Sequence, residues 1–392
     1  MIFKGNDIKE VLSQSTRIGI LGGAFDPIHY GHLTAAECVR CKYNLDIILF
    51  VPTGTPPHKN NVSFSEHRYL MTLLATEDNP YFYTTRMELD KPGISYTVDT
   101  LRDLKLKTKA ELFFIIGADE MQQISTWKDA HLLESLCNWI TVTRPGYQPV
   151  SEAKNLITIP GLDISSTELR RRIKSGEPVK YLIPSKVETY IKELDVYNCL
   201  AKKTDEKTIE EIHKAVSAKL SKKRYNHTLG VVETALLLSI KHGENLRSAY
   251  LAALLHDYAK ELSEKEKRDL CNKFKIPLDE IQSRHINLMH GALSAELAKI
   301  EFNIKEPKVL DAITNHTTGR VGMKVLEQII KIADNIEPNR PNYPGINKIK
   351  ELAETNLQKA AAASIRRDIQ YTEAKGHELH PLGIKALKDL EE

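Results

Sequence analysis

Two groups of residues, one in each half of the chain, have the types and spacing that chemistry requires. The first is a glycine pair and a polar turn followed by two histidines: Gly22, Gly23, Phe25, Asp26, His29 and His32. Glycines let a backbone approach a ligand closely, and free amides at the start of a helix attract anions. His29 and His32 lie three residues apart where that helix begins, so both imidazoles would face the anion. This group predicts a nucleotide-phosphate site without a covalent nucleophile.

The second group consists of imidazole and carboxylate side chains: His227, His256, Asp257, His290, His316 and Asp334. Such side chains, directed by several helices into one core, are typical of metal sites in helical bundles. The Asp257 carboxylate could lie between two metal ions while the adjacent His256 binds one of them. Lys260 lies three and four residues beyond this pair and can share their helical face, although a solvated lysine is the alternative.

Strands and helices that alternate along the first half must position the first group. Strand-like runs cover residues 17–21, 46–51, 82–87, 111–116 and 138–143, and helix-like runs cover 33–43, 66–76, 97–106 and 126–136. This alternation predicts a doubly wound α/β fold of the Rossmann type, with a mostly parallel sheet between two layers of helices. In such sheets ligands bind beyond the carboxyl ends of the strands.

Most of the other candidate residues in this half follow a predicted strand. Lys59 comes after the second strand, Gly117 and Asp119 after the fourth, and Arg144 after the fifth. A basic helix then opens with Ile164, Ser165, Ser166, Thr167 and Arg170. Ser165 and Glu168 fit a capping box, and the amides and hydroxyls at this helix start would also suit phosphates.

These motifs resemble those of the nucleotidylyltransferases and, among them, the bacterial nicotinate-nucleotide adenylyltransferase (NadD) family. GGAFDPIHYGH at 22–32 matches the signature GxFxPxHxGH, and ISSTELR at 164–170 matches ISSTxxR. PPHK, SYTVDT, GADE and TW extend the resemblance over about residues 15–197. It implies adenylyl transfer from ATP to nicotinate mononucleotide, with Mg²⁺ on the triphosphate and pyrophosphate as the leaving group. Nicotinamide mononucleotide and pantetheine phosphate are the alternative acceptors.

The resemblance also implies roles for single residues. It makes His29, His32, Lys59 and Arg170 catalytic, through contacts to the phosphates and stabilisation of the transition state. The ATP site would comprise Gly22, Gly23, Phe25, Asp26, His29, His32, Ile164, Ser165, Ser166 and Thr167. The nicotinate-nucleotide site would comprise Lys59, Thr97, Gly117, Asp119, Trp127 and Arg144. By residue type alone, Trp127 could equally be a packing residue.

Helical periodicity replaces the strand pattern after a short polar stretch at 198–206, which we interpret as a linker. We therefore expect two domains, residues 1–200 and 201–392. Helix-like runs in the second domain cover 208–242, 249–258, 291–302, 307–316, 325–336 and 352–371. This pattern predicts an all-α bundle, whose core would receive the metal-binding side chains.

The second half resembles the HD-domain metal-dependent phosphohydrolases, and more closely the YqeK family. The motifs that carry the resemblance are NHTLG at 226–230, LLHDYAKE at 254–261, MHG at 289–291, HTTGR at 316–320 and ADNIEPNR at 333–340. The resemblance implies symmetrical hydrolysis of diadenosine tetraphosphate to two ADP at a two-metal centre, with iron as the expected metal. A phosphatase for another nucleotide, or a regulatory or RNA-binding module, remains the alternative.

The expected centre divides the second group between two metal ions that share Asp257. His227, His256, Asp257 and Asp334 would bind one ion, and Asp257, His290 and His316 would bind the other. Lys260 would assist catalysis. Thr317, Arg320 and Arg340 are the candidates to hold the polyphosphate, because hydroxyls and guanidinium groups suit phosphate oxygens.

The composition excludes other classes of function. Lys and Arg number 55 against 52 Asp and Glu, so the net charge of +3 gives no argument for a nucleic-acid partner. Apolar runs such as residues 112–116 are far too short to span a membrane. The first residues lack a secretory pattern, and the five cysteines follow no framework spacing. We therefore expect a cytoplasmic protein, which could be a homo-oligomer.

Overall fold

A computed structural model describes residues 8–57, 62–143, 154–161, 163–197 and 207–392. The chain divides into two compact units, and the division falls after Ala201. The linker predicted at 198–206 lies outside the described residues. Each unit is described by itself.

The first unit contains a six-stranded sheet in the order β3-β2-β1-β4-β5-β6, and every described strand pair is parallel. The strands are β1 (Arg17–Gly23), β2 (Ile47–Pro52), β3 (Phe82–Thr84), β4 (Glu111–Gly117), β5 (Asn138–Thr143) and β6 (Ile157–Thr158). The strand order reverses between β1 and β4, which places a ligand crevice beyond their carboxyl ends. The predicted doubly wound α/β fold is confirmed.

Eight helices of the described first unit accompany the sheet. They are α1 (Ile8–Gln14), α2 (Tyr30–Lys42), α3 (Ser65–Thr76), α4 (Thr97–Lys107), α5 (Ala118–Met121), α6 (Ala130–Leu136), α7 (Ser166–Lys174) and α8 (Ser185–Leu194). On one face of the sheet, Val98, Leu101 and Leu104 of α4 join the core that also contains Ile18 and Ile20. Their three-residue spacing keeps them on one side of the helix.

Two elements of the first unit are shorter than the sequence pattern predicts. The strand expected at 82–87 ends at Thr84, because Arg86 turns to bind the carboxylate of Glu66 through both of its terminal nitrogens, at 2.9 and 2.7 Å. The helix expected at 126–136 begins only at Ala130, because Asp129 adopts a left-handed conformation with φ of 51°.

The second unit is helical throughout its described part, as predicted. Its helices are α9 (Ile209–Lys219), α10 (Lys222–His242), α11 (Leu246–Leu255), α12 (Glu264–Lys273), α13 (Glu280–Arg284), α14 (His290–Phe302), α15 (Pro307–Asn315), α16 (Val325–Ile336), α17 (Ile346–Thr355), α18 (Leu357–Ala374) and α19 (Pro381–Glu391). The long helix α10 packs against α11 and α16. A Cβ atom at Gly230 of α10 would collide with the carboxylate of Glu337, so this close approach requires glycine.

In the part of the chain that the structure describes, no helix has both the length and the apolar character needed to cross a membrane.

Candidate functional site

The loop after β1 brings the two histidines of the first group together. His29 is the residue before the first turn of α2, and only 3% of its surface is exposed. Its ring stacks on that of His32 with centroids 3.8 Å apart, and its backbone N–H donates to His32 Nδ1 at 3.3 Å. The edge of the Phe25 ring contacts His32 at a centroid distance of 5.2 Å. The two imidazoles therefore form one preorganised surface at the start of a helix.

The start of α7 is attached to the same loop. Ser165 caps α7 by accepting the Glu168 N–H at 3.2 Å, and Ser166 Oγ donates to the Pro27 carbonyl at 2.9 Å. Arg170 Nη1 donates to the carbonyl of Asp26 at 2.6 Å. These contacts join residues 164–170 to the loop after β1 and place one guanidinium beside that loop, where it could contact a phosphate.

An arginine that the sequence analysis did not select organises these loops. Arg68 of α3 is only 1% exposed and donates to three backbone carbonyls, those of Ala24 at 2.9 Å, Gly54 at 2.8 Å and Ser63 at 2.9 Å. Burial lowers its pKa, and the nearby Asp26 opposes that shift. Arg68 joins the loops after β1 and β2. Its signal in the sequence is a single arginine on the apolar face of a predicted helix.

A cavity of about 480 Å³ lies beside the glycine loop in the first unit. The residues that matter in its lining are Gly22, Gly23, Glu88, Thr97, Phe114 and Trp127. Trp127 lines the cavity and also packs edge-on against Phe114 at a centroid distance of 6.2 Å. Both interpretations of Trp127, ligand platform and packing residue, are thus compatible with its position.

The other residues expected to bind the nicotinate nucleotide are placed differently. Gly117 ends β4 and Asp119 is exposed on α5, and neither is among the described residues that line the cavity. The Asp119 carboxylate instead turns back over Gly117, where a Cβ atom would meet it at 2.6 Å. Lys59 and Arg144 lie outside the described residues.

Glu88 is a cavity residue that the sequence analysis missed. Its Oε1 accepts a hydrogen bond from Thr100 Oγ1 at 2.6 Å. Burial raises the pKa of this carboxyl, although hydrogen bonds from Thr100, Ser95 and the Gly54 amide oppose the shift. The wall of the cavity therefore contains a buried carboxyl group that is harder to ionise than an exposed one.

In the second unit, the predicted metal-binding residues converge from five elements. They form two buried clusters, His227, His256 and Asp257 in one and Asp257, His290 and His316 in the other, with the donor atoms of each cluster within 4.8 Å of one another. Asp257 Oδ2 lies 3.9 Å from His227 Nε2 and 3.6 Å from His256 Nε2. Its Oδ1 lies 3.1 Å from His290 Nε2 and 3.6 Å from His316 Nε2. Each oxygen of Asp257 thus faces one cluster.

Asp334 of α16 completes the first cluster, since its Oδ1 lies 3.1 Å from His227 Nε2. His227 Nδ1 lies 3.0 Å from the buried carboxylate of Glu337, which the sequence analysis did not select. A carboxylate at Nδ1 keeps the proton there and leaves Nε2 to bind a metal, as in carboxylate–histidine–metal arrangements.

Backbone carbonyls orient the other three imidazoles in the same way. The Nδ1–H groups donate to the carbonyl three residues earlier: His256 to Ala253 at 2.7 Å, His290 to Asn287 at 2.6 Å and His316 to Ile313 at 2.7 Å. A carbonyl can only accept, so each proton lies on Nδ1 and each Nε2 presents a lone pair to the clusters.

The electrostatics of this arrangement fit a divalent cation. Burial lowers the pKa of His256 to about 3 and that of His290 to about 4, where Lys260 adds to the effect. Burial opposes ionisation of Asp257, yet His256 and Lys260 hold its pKa well below the usual range. His256 Nε2 is buried without a hydrogen-bond partner among the described residues. Burial lowers the pKa of His227, but the carboxylates of Asp334 and Glu337 outweigh it and raise that pKa to about 9, so a metal ion at this cluster would have to displace a proton. Imidazoles and carboxylates together are a suitable donor set for a transition metal.

Cationic and hydroxyl groups surround the clusters. Lys260 Nζ lies 3.1 Å from His290 Nε2, Thr317 Oγ1 lies 3.2 Å from the same nitrogen, and Arg340 Nη2 donates to Asp334 Oδ1 at 2.5 Å. Arg224, which the sequence analysis did not select, donates from Nη1 to Asp257 Oδ2 at 3.0 Å. It precedes His227 by one helical turn of α10, and that spacing was the available signal.

Arg320 differs from the other polyphosphate candidates. Its guanidinium donates to the buried carboxylate of Glu327 through Nε at 2.6 Å and Nη2 at 2.8 Å, and also contacts Asp311. Its described hydrogen bonds therefore go to α15 and α16 rather than to the metal-binding residues, because a buried glutamate requires a cationic partner.

Comparisons with known proteins agree with this division. Residues 20–172 match the cytidylyltransferase-like family, and residues 224–339 match the HD domain family. The chain is 45% identical over 203 residues to a probable nicotinate-nucleotide adenylyltransferase of Thermoanaerobacter sp. strain X514, covering 47% of this chain and 96% of that protein. A probable enzyme of the same name from Clavibacter michiganensis is 48% identical over 188 residues, covering 46% of this chain and 94% of the relative.

Among solved structures, the chain is similar to a predicted HD superfamily hydrolase involved in NAD metabolism from Clostridium acetobutylicum. The identity is 35%, the coverage is 47% of this chain and 98% of that one, and the TM-score is 0.46. The family assignment rests on the sequence relatives and the family matches. The chain belongs to the nicotinate-nucleotide adenylyltransferase family through its first half, to which a second half with an HD domain is fused.

Proposed function

We propose that this chain is a bifunctional enzyme of nucleotide metabolism. The first half transfers the adenylyl group of ATP to nicotinate mononucleotide, and the HD half hydrolyses diadenosine tetraphosphate to two ADP. The observation that carries the proposal is the presence of two chemically different histidine groups, one in each unit. Relatives named as nicotinate-nucleotide adenylyltransferases support the first activity.

In the first reaction, a phosphate oxygen of nicotinate mononucleotide attacks the α-phosphorus of ATP. A new P–O bond forms to the α-phosphorus. The bond between the α-phosphorus and the oxygen that bridges it to the β-phosphorus breaks, and pyrophosphate leaves with the electron pair. Mg²⁺ enters as the counter-ion of the triphosphate and is part of the substrate. Positioning and charge stabilisation supply the catalysis, because no covalent intermediate is needed.

The residues of the first site divide this work. His29 and His32 donate hydrogen bonds to the phosphates as charge develops on them. Arg170 adds positive charge beside the start of α2, where the carbonyl of Asp26 holds its guanidinium. The Trp127 ring provides an apolar surface for the pyridine ring of the acceptor, on the wall of the cavity.

Acceptor specificity tests the first activity. The purified full-length protein is given ATP and, in separate assays, nicotinate mononucleotide, nicotinamide mononucleotide or pantetheine phosphate, and pyrophosphate release is measured. We expect the highest kcat/KM with nicotinate mononucleotide. A preference for either of the other acceptors would overturn the assignment.

For the HD half we propose two divalent metal ions, with iron as the expected metal. His227, His256, Asp257 and Asp334 would hold one ion, and Asp257, His290 and His316 would hold the other. Bound ions of this kind polarise a phosphate and acidify a water molecule near neutral pH. Imidazole and carboxylate donors also accept manganese or zinc, so the metal content is to be measured on protein purified without oxygen.

The residues around the clusters hold the substrate. Lys260 and Arg224 lie beside Asp257, and Arg340 lies beside Asp334, so cationic groups face both clusters. A polyphosphate carries one or more negative charges per phosphate, and fixed cations of this kind would position it across the clusters. The Thr317 hydroxyl, within 3.3 Å of both His290 and His316, can donate to a phosphate oxygen.

The products of hydrolysis test the second activity. Water that cleaves the tetraphosphate at its centre gives two ADP, whereas asymmetrical cleavage gives ATP and AMP. We expect ADP alone with the wild-type protein, and neither activity nor tightly bound metal at the first cluster in His256→Ala. Unchanged hydrolysis in His256→Ala would refute the assignment, and a faster reaction with another nucleotide would change the substrate.

A further inference from the structure

The helices after the HD domain match lie against the helix that carries Asp334. The HD match ends at residue 339, so α17, α18 and α19 are additional to it. Of these, α18 packs directly on α16. Helix α18 therefore forms a wall beside the helix of Asp334 and lies outside the region that matches the HD domain family.

A buried ionic network sets the position of α18. Lys331 of α16 is only 1% exposed, and its Nζ donates to Asp368 Oδ2 and to the Thr317 carbonyl, both at 2.7 Å. Asn335 Nδ2 also donates to Asp368 Oδ2 at 3.3 Å. Since a buried lysine charge is costly without a carboxylate partner, α18 is held in register with Thr317 and with the helix of Asp334.

Beside this network lies a strip of alternating aromatic and cationic side chains, two from α18, one from the residue that follows α18 and one from the segment before α17. We define the α18 strip as Tyr343, Arg367, Tyr371 and Lys375. The Arg367 guanidinium lies 4.4 Å from the ring centroid of Tyr343 and 5.1 Å from that of Tyr371, and Lys375 Nζ lies 5.9 Å from the latter. The Tyr343 hydroxyl donates to the Asn335 carbonyl at 3.0 Å, which places the strip next to the residue that follows Asp334.

The strip has binding capacity that the fold does not use. The described hydrogen bonds of the Arg367 guanidinium come from Nη1 alone, to Asp368 at 2.8 Å and to Asn335 at 3.5 Å. Tyr371 is 54% exposed, so its ring is accessible to a ligand. Remaining guanidinium donors suit a phosphate, and an exposed ring suits a nucleobase.

The dimensions of the strip match a nucleotide. Arg367, Tyr371 and Lys375 are spaced at i, i+4 and i+8, so they share one face of α18 and extend over about 12 Å at a rise of 1.5 Å per residue. That length accommodates a phosphate at one end and a base beyond it. The end nearest the metal-binding cluster is cationic.

We propose that the α18 strip binds the nucleoside end of the nucleotide on which the second unit acts. Arg367 holds a phosphate that is not attacked, and Tyr371 stacks on the base. This proposal rests on one part of the proposed function, namely that the attacked phosphate lies at the two His/Asp clusters. It assigns recognition of the base to residues outside the HD domain match.

Photolabelling of the metal-free, full-length protein tests the subsite without any turnover. The probe is 8-azido-ADP, and labelled tryptic peptides are identified by mass spectrometry. Trypsin releases residues 368–375 as DIQYTEAK, which contains Tyr371 and separates this label from any label in the first unit. We expect label on this peptide, its suppression by excess diadenosine tetraphosphate, and its loss in Tyr371→Ala. Label in the second unit only on other peptides would overturn the proposal.

Kinetics provide the second measurement. Tyr371→Ala is expected to raise the KM for diadenosine tetraphosphate about tenfold, the factor that one lost base stack corresponds to, with kcat unchanged. Tyr371→Phe keeps the ring and should restore the wild-type KM. Arg366→Met is the matched control, because Arg366 is the preceding residue of α18 and pairs with Glu391 instead. A kcat loss without a KM change would assign Tyr371 a structural role and refute the subsite.

The two proposals fail in distinguishable ways. Label on residues 368–375 without hydrolysis of diadenosine tetraphosphate would refute the proposed reaction and retain the subsite. Symmetrical hydrolysis with an unaltered KM in Tyr371→Ala and no label on that peptide would retain the reaction and refute the subsite.

Discussion

In the first unit, His29 and His32 stack on each other at the start of a single helix, with ring centroids 3.8 Å apart. In the second unit, four imidazoles from separate helices direct their Nε2 atoms at the two oxygens of Asp257, at 3.1 to 3.9 Å. Among the described residues, both clusters able to hold a metal lie in the second unit, and neither includes His29 or His32. The two histidine groups of this chain therefore have different surroundings.

The two histidine groups differ in the hydrogen-bond partner of each Nδ1 atom and in the group that each Nε2 atom faces. For each of the four imidazoles that face Asp257, a carbonyl or carboxylate lies at Nδ1 and the Asp257 carboxylate lies before Nε2, an arrangement that suits a cation. In the first unit, His32 Nδ1 accepts from the backbone N–H of His29, an arrangement that preorganises a ring at a helix start for an anion. These different neighbours are the reason to expect an anion at the first histidine group and a cation at the second.

The largest effect is expected from Asp257→Asn, which tests whether the histidine group of the second unit binds cations. The amide retains the shape but loses the charge that both clusters share, so bound metal should be lost and hydrolysis should fall about 10³-fold. Metal analysis and ADP release measure these effects. Adenylyl transfer by the same protein should stay at the wild-type rate.

A matched carboxylate controls for a general loss of charge in the second unit. Asp311→Asn removes a half-exposed carboxylate that contacts Arg320. It should retain both metal and hydrolysis. Equal metal content in Asp257→Asn and Asp311→Asn would mean that Asp257 is not a ligand.

The next largest effect is expected from His32→Ala, which tests whether the histidine pair of the first unit binds phosphates. Loss of one preorganised donor to the phosphates should lower the kcat of adenylyl transfer about 10²-fold. Pyrophosphate release measures it, and metal content and hydrolysis should not change. His131→Ala, an exposed histidine of α6, is the control and should behave as wild type. A normal kcat in His32→Ala would remove the imidazole pair from the catalytic site.

The sheet could be predicted from the sequence because its strands are short apolar runs buried on both faces. The run at 46–51 corresponds to β2, Ile47–Pro52, where all six residues are buried. The prediction was wrong where a single side chain or backbone conformation intervened. Asp129 has φ of 51°, and a left-handed aspartate that delays a helix leaves no periodic signal.

Site residues could be predicted where their partners lie within one helical turn or one motif. His256 and Asp257 are adjacent, and His29 and His32 share a turn. Residues whose partners are remote were missed: Glu337 contacts His227 across 110 positions, and Arg68 contacts Ala24 across 44. Only the fold brings such pairs together, so their roles have no local pattern.

Trp127→Ala is expected to have a moderate effect on KM. It tests whether the acceptor and ATP occupy separate parts of the first site. If the ring is a platform for the pyridine, its loss should raise the KM for nicotinate mononucleotide about tenfold and leave the KM for ATP unchanged. Trp127→Phe should be intermediate. An equal rise of both KM values would show that Trp127 serves packing against Phe114 instead.

The smallest effect is expected from Glu88→Gln, which compares a carboxyl group whose pKa is raised, in the first site, with the Asp257 carboxyl group, whose pKa is lowered, in the second. Burial raises the pKa of Glu88, so the folded state prefers the protonated form. Ionisation therefore costs stability as the pH rises through that raised pKa, and the cost is absent below the ordinary value of 4.5. Glutamine does not titrate, so the variant should gain stability relative to wild type at pH 8 and not below pH 4.5.

Urea unfolding followed by tryptophan fluorescence measures this difference in the first unit alone. The chain has two tryptophans, Trp127 and Trp139, and both belong to that unit. Glu134→Gln is the control, because Glu134 is exposed and should give the same free energy of unfolding relative to wild type at every pH. A Glu88→Gln difference that is equal at pH 4.5 and pH 8 would mean that the pKa of Glu88 is the same in the folded and unfolded states, since the opposing hydrogen bonds from Thr100 and Gly54 would then balance its burial.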